Sequence, residues 1–301
     1  MALEPEPTAT GHASFALDSF TELVDAGTKV SGTGVASRVL GLDPVKSRNA
    51  PNVGFKEALK TVALIAQRGP ASAIGMLSAG RNFMDGVTWS LHVSVEGAST
   101  LGIEEALAVV RSAVGVGARE IPNLLPLALA ARPFSVRGFL GPEGERWIAT
   151  NGVFAHGDAA AAAIRLEEFF STRSAAMQAH GVWHSYLILF PPGLVLLEPS
   201  YYWKDAISPL HLQHLDADTA RKVARHARNP TARAYAIELR QEFKLELQRL
   251  GAAHLQVGRS YSYADRLVPG TRRMLNSLKA VLDPDDVLNS GVLGLGSARE
   301  K

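Results

Sequence analysis

"VWHSYLILFPPGLVLLEPSYY", residues 182–202, is an apolar run cut in half by Pro191-Pro192-Gly193. Proline cannot donate to a sheet ladder and glycine accepts the turn conformation, so the chain doubles back there and leaves strands at 182–190 and 194–202. Each half is far short of the roughly 20 apolar residues a membrane helix needs, so no membrane span is expected. Upstream, Asp158 is placed to cap a helix through "AAAAAIRLEEFFSTRSAAMQAH" (159–180) that stops at Gly181, with Leu166, Phe169, Phe170 and Met177 on one face. Downstream, "TARAYAIELRQEFKLELQRL" (231–250) is helical after a break at Asn229-Pro230, and "AAHLQV" (252–257) is a short strand. The order helix, strand, strand, helix, strand predicts an α+β layer: an antiparallel sheet with helices packed on one face.

The flanks extend that pattern. "VTWSLHVSVEG" (87–97) alternates Val87, Trp89, Leu91, Val93 and Val95 with smaller or polar neighbours, the period of a half-buried strand, and "IEEALAVVRSAVGVG" (103–117) follows as a helix. "ADTARKVARHAR" (217–228) is a further helix, and its basic residues, with Arg233, are a solvated face. The last helix spans about 268–282 and carries Met274, Leu275, Leu278, Val281 and Leu282 on one side. Residues 1–13, rich in Pro, Glu and Thr, make a flexible N-terminal tail. No short-period repeat is visible.

Composition sets the outer bounds. With 301 residues, 47% of them hydrophobic, the chain is long enough for a sizeable core. Lys and Arg number 31 against 29 Asp and Glu, and a net charge of +2 argues against a general nucleic-acid binder. Absence of cysteine excludes disulfides and thiolate metal sites. The start, "MALEPEPTATGHASF", has no basic segment followed by an apolar one, so it is no signal peptide, and the expected location is the cytoplasm. The common nucleotide, zinc and serine-hydrolase signatures are missing.

Three stretches concentrate chemistry. In "GPEGERWIATNGVFAHG" (141–157), turn glycines lead into Arg146-Trp147 and then His156. In "LLEPSYYWKDA" (196–206), Glu198, Tyr201, Tyr202 and Trp203 crowd the end of an apolar strand, as in a cavity wall or as in ordinary sheet packing with wet polar tips. In "GAAHLQVGRSYSY" (251–263), period-two alternation puts His254 and Gln256 on one face, Gly258 allows close backbone approach, and Arg259, Tyr261 and Tyr263 follow. Such a run can bind a carboxylate and handle a proton; a satisfied core histidine is the competing reading.

That last run, followed by an amphipathic helix and then "LKAVLDPDDVLNSGVLGL" (278–295), resembles the C-terminal signature of FAD-linked oxidases of the vanillyl-alcohol oxidase and p-cresol methylhydroxylase superfamily, on the D-lactate and glycolate dehydrogenase side. "SLHVSVEG", "GERWIATNGVFAHG" and "EPSYYWKDA" resemble cap-domain segments of the same family. The resemblance implies a ferredoxin-like cap or substrate domain over residues 14–265 and a C-terminal segment, 266–301, that returns to an FAD-binding domain. That domain is not among these residues, so the expectation is a truncated or split product, or an FAD domain on another chain. The implied chemistry is oxidation of an alcohol or 2-hydroxy acid by hydride transfer to the flavin. His254 would accept the hydroxyl proton, with Tyr261 and Tyr202 as substitutes, and Arg259 would face the charge that develops on the reduced flavin. Arg146, His156, Glu198, Tyr202 and Gln256 would line the substrate, while Gly258, Asn289 and Gly291 would meet the cofactor. The family's Asn-Pro-Gly turn is Asn289-Ser290-Gly291 here, and its His-rich metal segment is missing, so no metal is expected. Two other readings stand beside this one: a non-catalytic orphan cap that binds or interacts, and an unrelated α+β protein whose tail pairs in a homo-oligomer.

Overall fold

The computed structural model describes residues 7–43, 45, 84, 86–131, 140, 141, 143–213, 215, 217–256, 258–261 and 263–296. Two units of the same plan account for most of them. The first runs β1 (Ala9–Leu17), α1 (Phe20–Gly32), β2 (Arg38–Leu42), β3 (Trp89–Gly97), α2 (Thr100–Val114) and β4 (Arg119–Ile121). Its strands lie in the order β4-β1-β3-β2, the ferredoxin-like arrangement. After α3 (Leu124–Ala131) the plan recurs: β5 (Arg146–Ala149) with β6 (Gly152–Ala155), α4 (His156–Ser171), α5 (Ser174–Ala179), β7 (Val182–Leu189), β8 (Leu194–Trp203) and α8 (Pro230–Arg249), with α6 (Pro209–Gln213) and α7 (Ala217–Lys222) inserted before α8. Here the order is β7-β8-β5/β6, and a bridge from Val153 to Ala253 stands where the fourth strand belongs. The second strands of the two units, β2 and β7, pair antiparallel (Leu40↔Leu189 to Leu42↔Leu187) and fuse the halves into one eight-stranded sheet.

Local chemistry explains the helix boundaries. Ser19 accepts the amide of Glu22 at 3.2 Å and starts α1, and Ser99 does the same for α2 through Gly102. Asn229 accepts the amide of Ala232 at 3.0 Å, and Pro230 occupies the first turn of α8, where a missing N–H costs nothing. The core lies between one sheet face and the helices. Phe20 of α1 stacks on Trp89 and Tyr186 at 5.0 and 4.8 Å, while Phe169, Phe170 and Phe243 pack from α4 and α8. A small second cluster, Ala16, Met84, Val87 and Ile121, covers part of the other face.

Four expectations change. Strand β1 begins at Ala9, inside the stretch expected to be flexible, because Ala9–Ala13 pair with Val93–Gly97 and the ladder outweighs their low hydrophobicity; residues 1–6 lie outside the description. The 159–180 helix splits at Thr172–Arg173, and Asp158 sits in its first turn without capping it. The helix expected over 217–228 ends at Lys222. The strand expected over 252–257 is reduced to one bridge at Ala253, because Asn151 captures the amide of Leu255 with its side chain in place of a ladder bond; Val257 lies outside the described residues.

Two histidines, His92 buried and His184 half-buried, carry a stability prediction. His92 is 2% exposed and shares its ring nitrogens with Ser14 Oγ (2.9 Å) and Ser90 Oγ (3.0 Å). Burial lowers its pKa to about 3, and lowers that of His184 to about 4. Both folded values lie below the ordinary 6.5, so the unfolded chain takes up protons that the folded chain refuses. Stability is therefore whole above pH 6.5 and falls by roughly 1.4 kcal/mol per pH unit per histidine as pH drops toward 4. Urea unfolding across that range should show the slope, and a flat profile would contradict the neutral state of both rings.

Candidate functional site at the sheet edge

Register assigns each side chain to a face. Arg146↔Trp203, Ile148↔Tyr201 and His184↔Tyr201 point toward the helices, while Trp147↔Tyr202, Trp183↔Tyr202 and Leu187↔Glu198 point to the opposite, outer face. On that outer face Trp147, Tyr202 and Trp183 form a row across three strands, with ring centroids 6.3 and 6.0 Å apart. Burial, then the charge of Asp43, pushes the Tyr202 phenol up to about 12, so it stays a hydrogen-bond donor at neutral pH. Asp43 is itself fixed by Ser185 Oγ (2.9 Å) and the Tyr186 amide (3.0 Å).

Next to this row the ladder has a gap with a chemical cause. Pro199 has no N–H, so Thr150 keeps only its own bond, N–H to the Pro199 carbonyl at 3.1 Å, and the register is the same on both sides, from Ala149↔Ser200 to Gly152↔Leu197. Alternation carries the Asn151 side chain to the outer face, level with Glu198. Asn151 is 1% exposed and fully used: its N–H and Nδ2 donate to Tyr261 Oη at 3.2 and 3.0 Å, and its Oδ1 accepts from Leu255 N at 3.0 Å. Its carbonyl accepts from His254 Nδ1 at 2.9 Å. Because a carbonyl only accepts, Nδ1 carries the proton and Nε2 of the neutral ring keeps its lone pair. The His254 ring lies 4.5 Å from that of Tyr261, and its pKa is lowered, first by burial and then by Arg266 and Lys244, against an opposing hydrogen bond to Asn151. The arrangement is a neutral base held in one tautomer beside a buried tyrosine.

The residues singled out from the sequence thus divide. His254 and Tyr261 meet through Asn151, and Glu198 and Tyr202 lie on the same outer face. Arg146 does not join them. It turns to the helical face, 5.6 Å over Trp203, and bonds Asp205 at 3.4 Å. His156 is at the far end of β6, where Nε2 meets the Leu194 carbonyl at 3.2 Å, roughly 30 Å along the strand from Trp147 at about 3.3 Å per residue. Gln256 and Arg259 are exposed on the loop, and Arg259 makes no ion pair among the described residues. Sequence reasoning missed Asn151, whose Asn-Gly step looks like a turn and whose partners Tyr261, His254 and Leu255 are distant in sequence.

The C-terminal segment reaches this edge. Leu293 N donates to the Gly258 carbonyl at 3.0 Å, at a glycine whose φ of 123° other residues avoid. Asn289 takes φ 52° and its carbonyl accepts from Val292 N at 2.9 Å, while Gly291 N donates to Leu295 O at 3.1 Å. The turn expected at 289–291 is formed, and Val292, Leu293 and Leu295 are half-buried. Helix α9 (Pro269–Leu282) differs: none of its residues is buried, and Met274, Val281, Leu282, Val287 and Leu288 are 57–78% exposed along it and just beyond. Among the described residues no group of three metal-binding side chains occurs, and no helix is long and apolar enough to cross a membrane.

No family model matches the chain, and no curated protein does. Solved structures match by fold. Substrate-bound p-cresol methylhydroxylase is 15% identical with a TM-score of 0.56, covering 97% of this chain and 54% of its own. The 4-ethylphenol oxidase from Gulosibacter chungangensis, in an isoeugenol complex, is 13% identical with a TM-score of 0.54, covering 99% and 56%. Alkyldihydroxyacetonephosphate synthase is 13% identical with a TM-score of 0.51, covering 94% and 45%. The fold is therefore that of the C-terminal part of FAD-linked oxidases of the vanillyl-alcohol oxidase and p-cresol methylhydroxylase type. This chain spans about half the length of the structures it matches.

Proposed function

We propose that this chain is the substrate-side half of an FAD-dependent oxidoreductase, working in the cytoplasm with an FAD domain from another chain. In this reading residues 14–265 form the cap, and 266–301 return to the partner. One observation carries the proposal: beside a site containing a tautomer-fixed base, the C-terminal segment keeps a row of large apolar side chains on its surface. Soluble proteins bury such rows against something.

The residues fit one edge of a flavin and not its whole length. Gly258, on the loop after His254, and the turn at Asn289 and Gly291, tied to that loop by Leu293, offer backbone to it, but the described residues make no cradle for a pyrophosphate. FAD, when bound by the partner, supplies the acceptor for a hydride from an alcohol or 2-hydroxy acid. The chain's own part is to hold that substrate on the outer face between Glu198, Tyr202 and the loop at Gln256. His254 Nε2 takes the hydroxyl proton, and the exposed Arg259 cation balances the charge that develops beside it. Arg146 and His156 support the sheet from elsewhere.

The test is co-expression with the FAD-binding half of an oxidase of the p-cresol methylhydroxylase type. The expected product is a complex carrying flavin absorbance, whereas this chain alone with added FAD stays colourless. Val281→Asp with Leu282→Asp, both at exposed positions, should leave the melting temperature unchanged and weaken the complex about 100-fold or more, the scale of a lost interface hot spot. An unchanged complex would overturn the docking role. Purified chain that forms a stable homo-oligomer through α9 and ignores the FAD half would overturn the reading as a whole.

A further inference from the structure

A second feature lies on the helical face and owes nothing to the flavin reading. Where β7 begins, an open cavity of about 620 Å³ is lined by Phe170 of α4, Met177 of α5, Val182 and His184 of β7, Lys204 just after β8, and Asn229 before α8. Its size is within the range of small-molecule sites, and its lining is apolar with a few polar groups, as such sites are.

The polar groups are unspent. His184 lies flat on Phe170, with ring centroids 3.8 Å apart and planes at 11°, yet among the described residues nothing hydrogen-bonds to it. A histidine held this rigidly normally has a partner for at least one nitrogen. Behind it a further buried group, Tyr186 Oη, has none. The Asn229 side-chain oxygen caps α8 and its backbone amide donates to Asp205, while its side-chain Nδ2 is uncommitted among the described residues. Lys204, about half exposed, makes only a loose pair with Glu143 at 3.3 Å, whose carboxylate is 70% exposed. A carboxylate delivered to Lys204 would therefore replace a weak contact and not a strong one.

Spacing selects the ligand. His184 pairs with Tyr201 and Val182 with Trp203, the last ladder pair of β8; Lys204 follows that end and lines the same cavity, about 10 Å from His184 at 3.3 Å per residue. A single ring with polar groups at opposite ends spans that interval once two side chains reach inward. The flat Phe170–His184 pair gives a ring a surface to lie against. We propose that this cavity binds a small aromatic monocarboxylate, its carboxylate on Lys204 and its opposite, polar end on His184. Burial holds His184 neutral, able to donate through one nitrogen and accept through the other.

Titration of the full chain with 4-aminobenzoate tests this, with 4-aminobenzamide as the uncharged comparison. Calorimetry should show saturable one-to-one binding of the acid and at least about 10-fold weaker binding of the amide, the weight of one charge-assisted contact. Lys204→Gln should bring the acid down to the level of the amide. His184→Phe keeps the stack, removes the nitrogens, and should weaken both probes. In labelled protein, the His184 imidazole resonances should shift on adding the acid. Absence of saturable binding, equal affinity for acid and amide, or full affinity in Lys204→Gln would each overturn the proposal. Because Lys204 is at the surface, its replacement leaves the fold intact.

Discussion

Asp205→Asn is expected to destabilise the protein by ~3–5 kcal/mol, the cost of breaking a buried, hydrogen-bonded ion pair from one side. Asp205 has no exposed surface and is the hub of the second unit. Arg233 grips it with two bonds, at 2.8 and 3.0 Å, and Arg146 reaches it at 3.4 Å. Trp203 Nε1 and the amides of Ala206 and Asn229 donate to it as well, at 3.2, 2.7 and 2.9 Å. These contacts tie the end of β8 to the start of α8 across the long connection between them. An amide in place of the carboxylate leaves two guanidinium groups without their counter-charge and turns one of the two acceptor oxygens into a donor facing donors. Urea unfolding at neutral pH measures the loss; a change under about 1 kcal/mol, the scale of a single neutral hydrogen bond, would show that the hub is not structural.

The same carboxyl has a pH signature. Burial alone would raise its pKa, but the bonds from Asn229, Arg233, Trp203 and Ala206 prevail and hold it at about 2, below the ordinary 3.8. A depressed acid stabilises the fold above its unfolded value and ceases to as pH falls through the folded one, so ~2 kcal/mol disappears between pH 3.8 and about 2. This window opens where that of His184 closes and overlaps only the last part of that of His92, so the acid limb should have two stages.

His254→Ala in the reconstituted complex is expected to lower the rate of flavin reduction by about 10²–10⁴-fold, the usual contribution of a positioned general base. The prediction follows from the tautomer: Nδ1–H is committed to the Asn151 carbonyl, which leaves Nε2 as the available base. Because burial lowers the pKa of His254, the reaction should hold its plateau through neutral pH and decline only below the ordinary imidazole value of 6.5. That decline should vanish in His254→Ala. Persistence of both rate and limb would assign the proton to another group, Tyr261 or Tyr202 first.

The two strands around Pro191-Pro192-Gly193 and the helices before and after them were legible because proline, glycine and apolar periodicity act locally. The duplication of the ferredoxin-like plan was not. Its halves share topology without a short repeat, and the union of β2 with β7 is a long-range pairing that no local pattern encodes. The site was half legible. Tyr261 and His254 were visible as an unusual cluster, but the residue that joins them, Asn151, gains its partners from the 254–261 loop by long-range contacts that no local pattern encodes. Arg146 misled for a related reason: one step along a strand reverses its face, and it points to Asp205 while its neighbour Trp147 points to Tyr202. The tail is partly covered by the loop at Gly258, which no sequence pattern indicated.

The central claim is that the outer sheet face and the C-terminal segment close together over a partner that carries FAD. Hydrogen exchange on the chain, alone and with the FAD-loaded half supplied in trans, tests it most directly. The account predicts new protection in 269–296 and in the loop 254–261, with little change in α1, α2 and α4 on the helical face. Protection confined to the helical face, or none in 269–296, would contradict it.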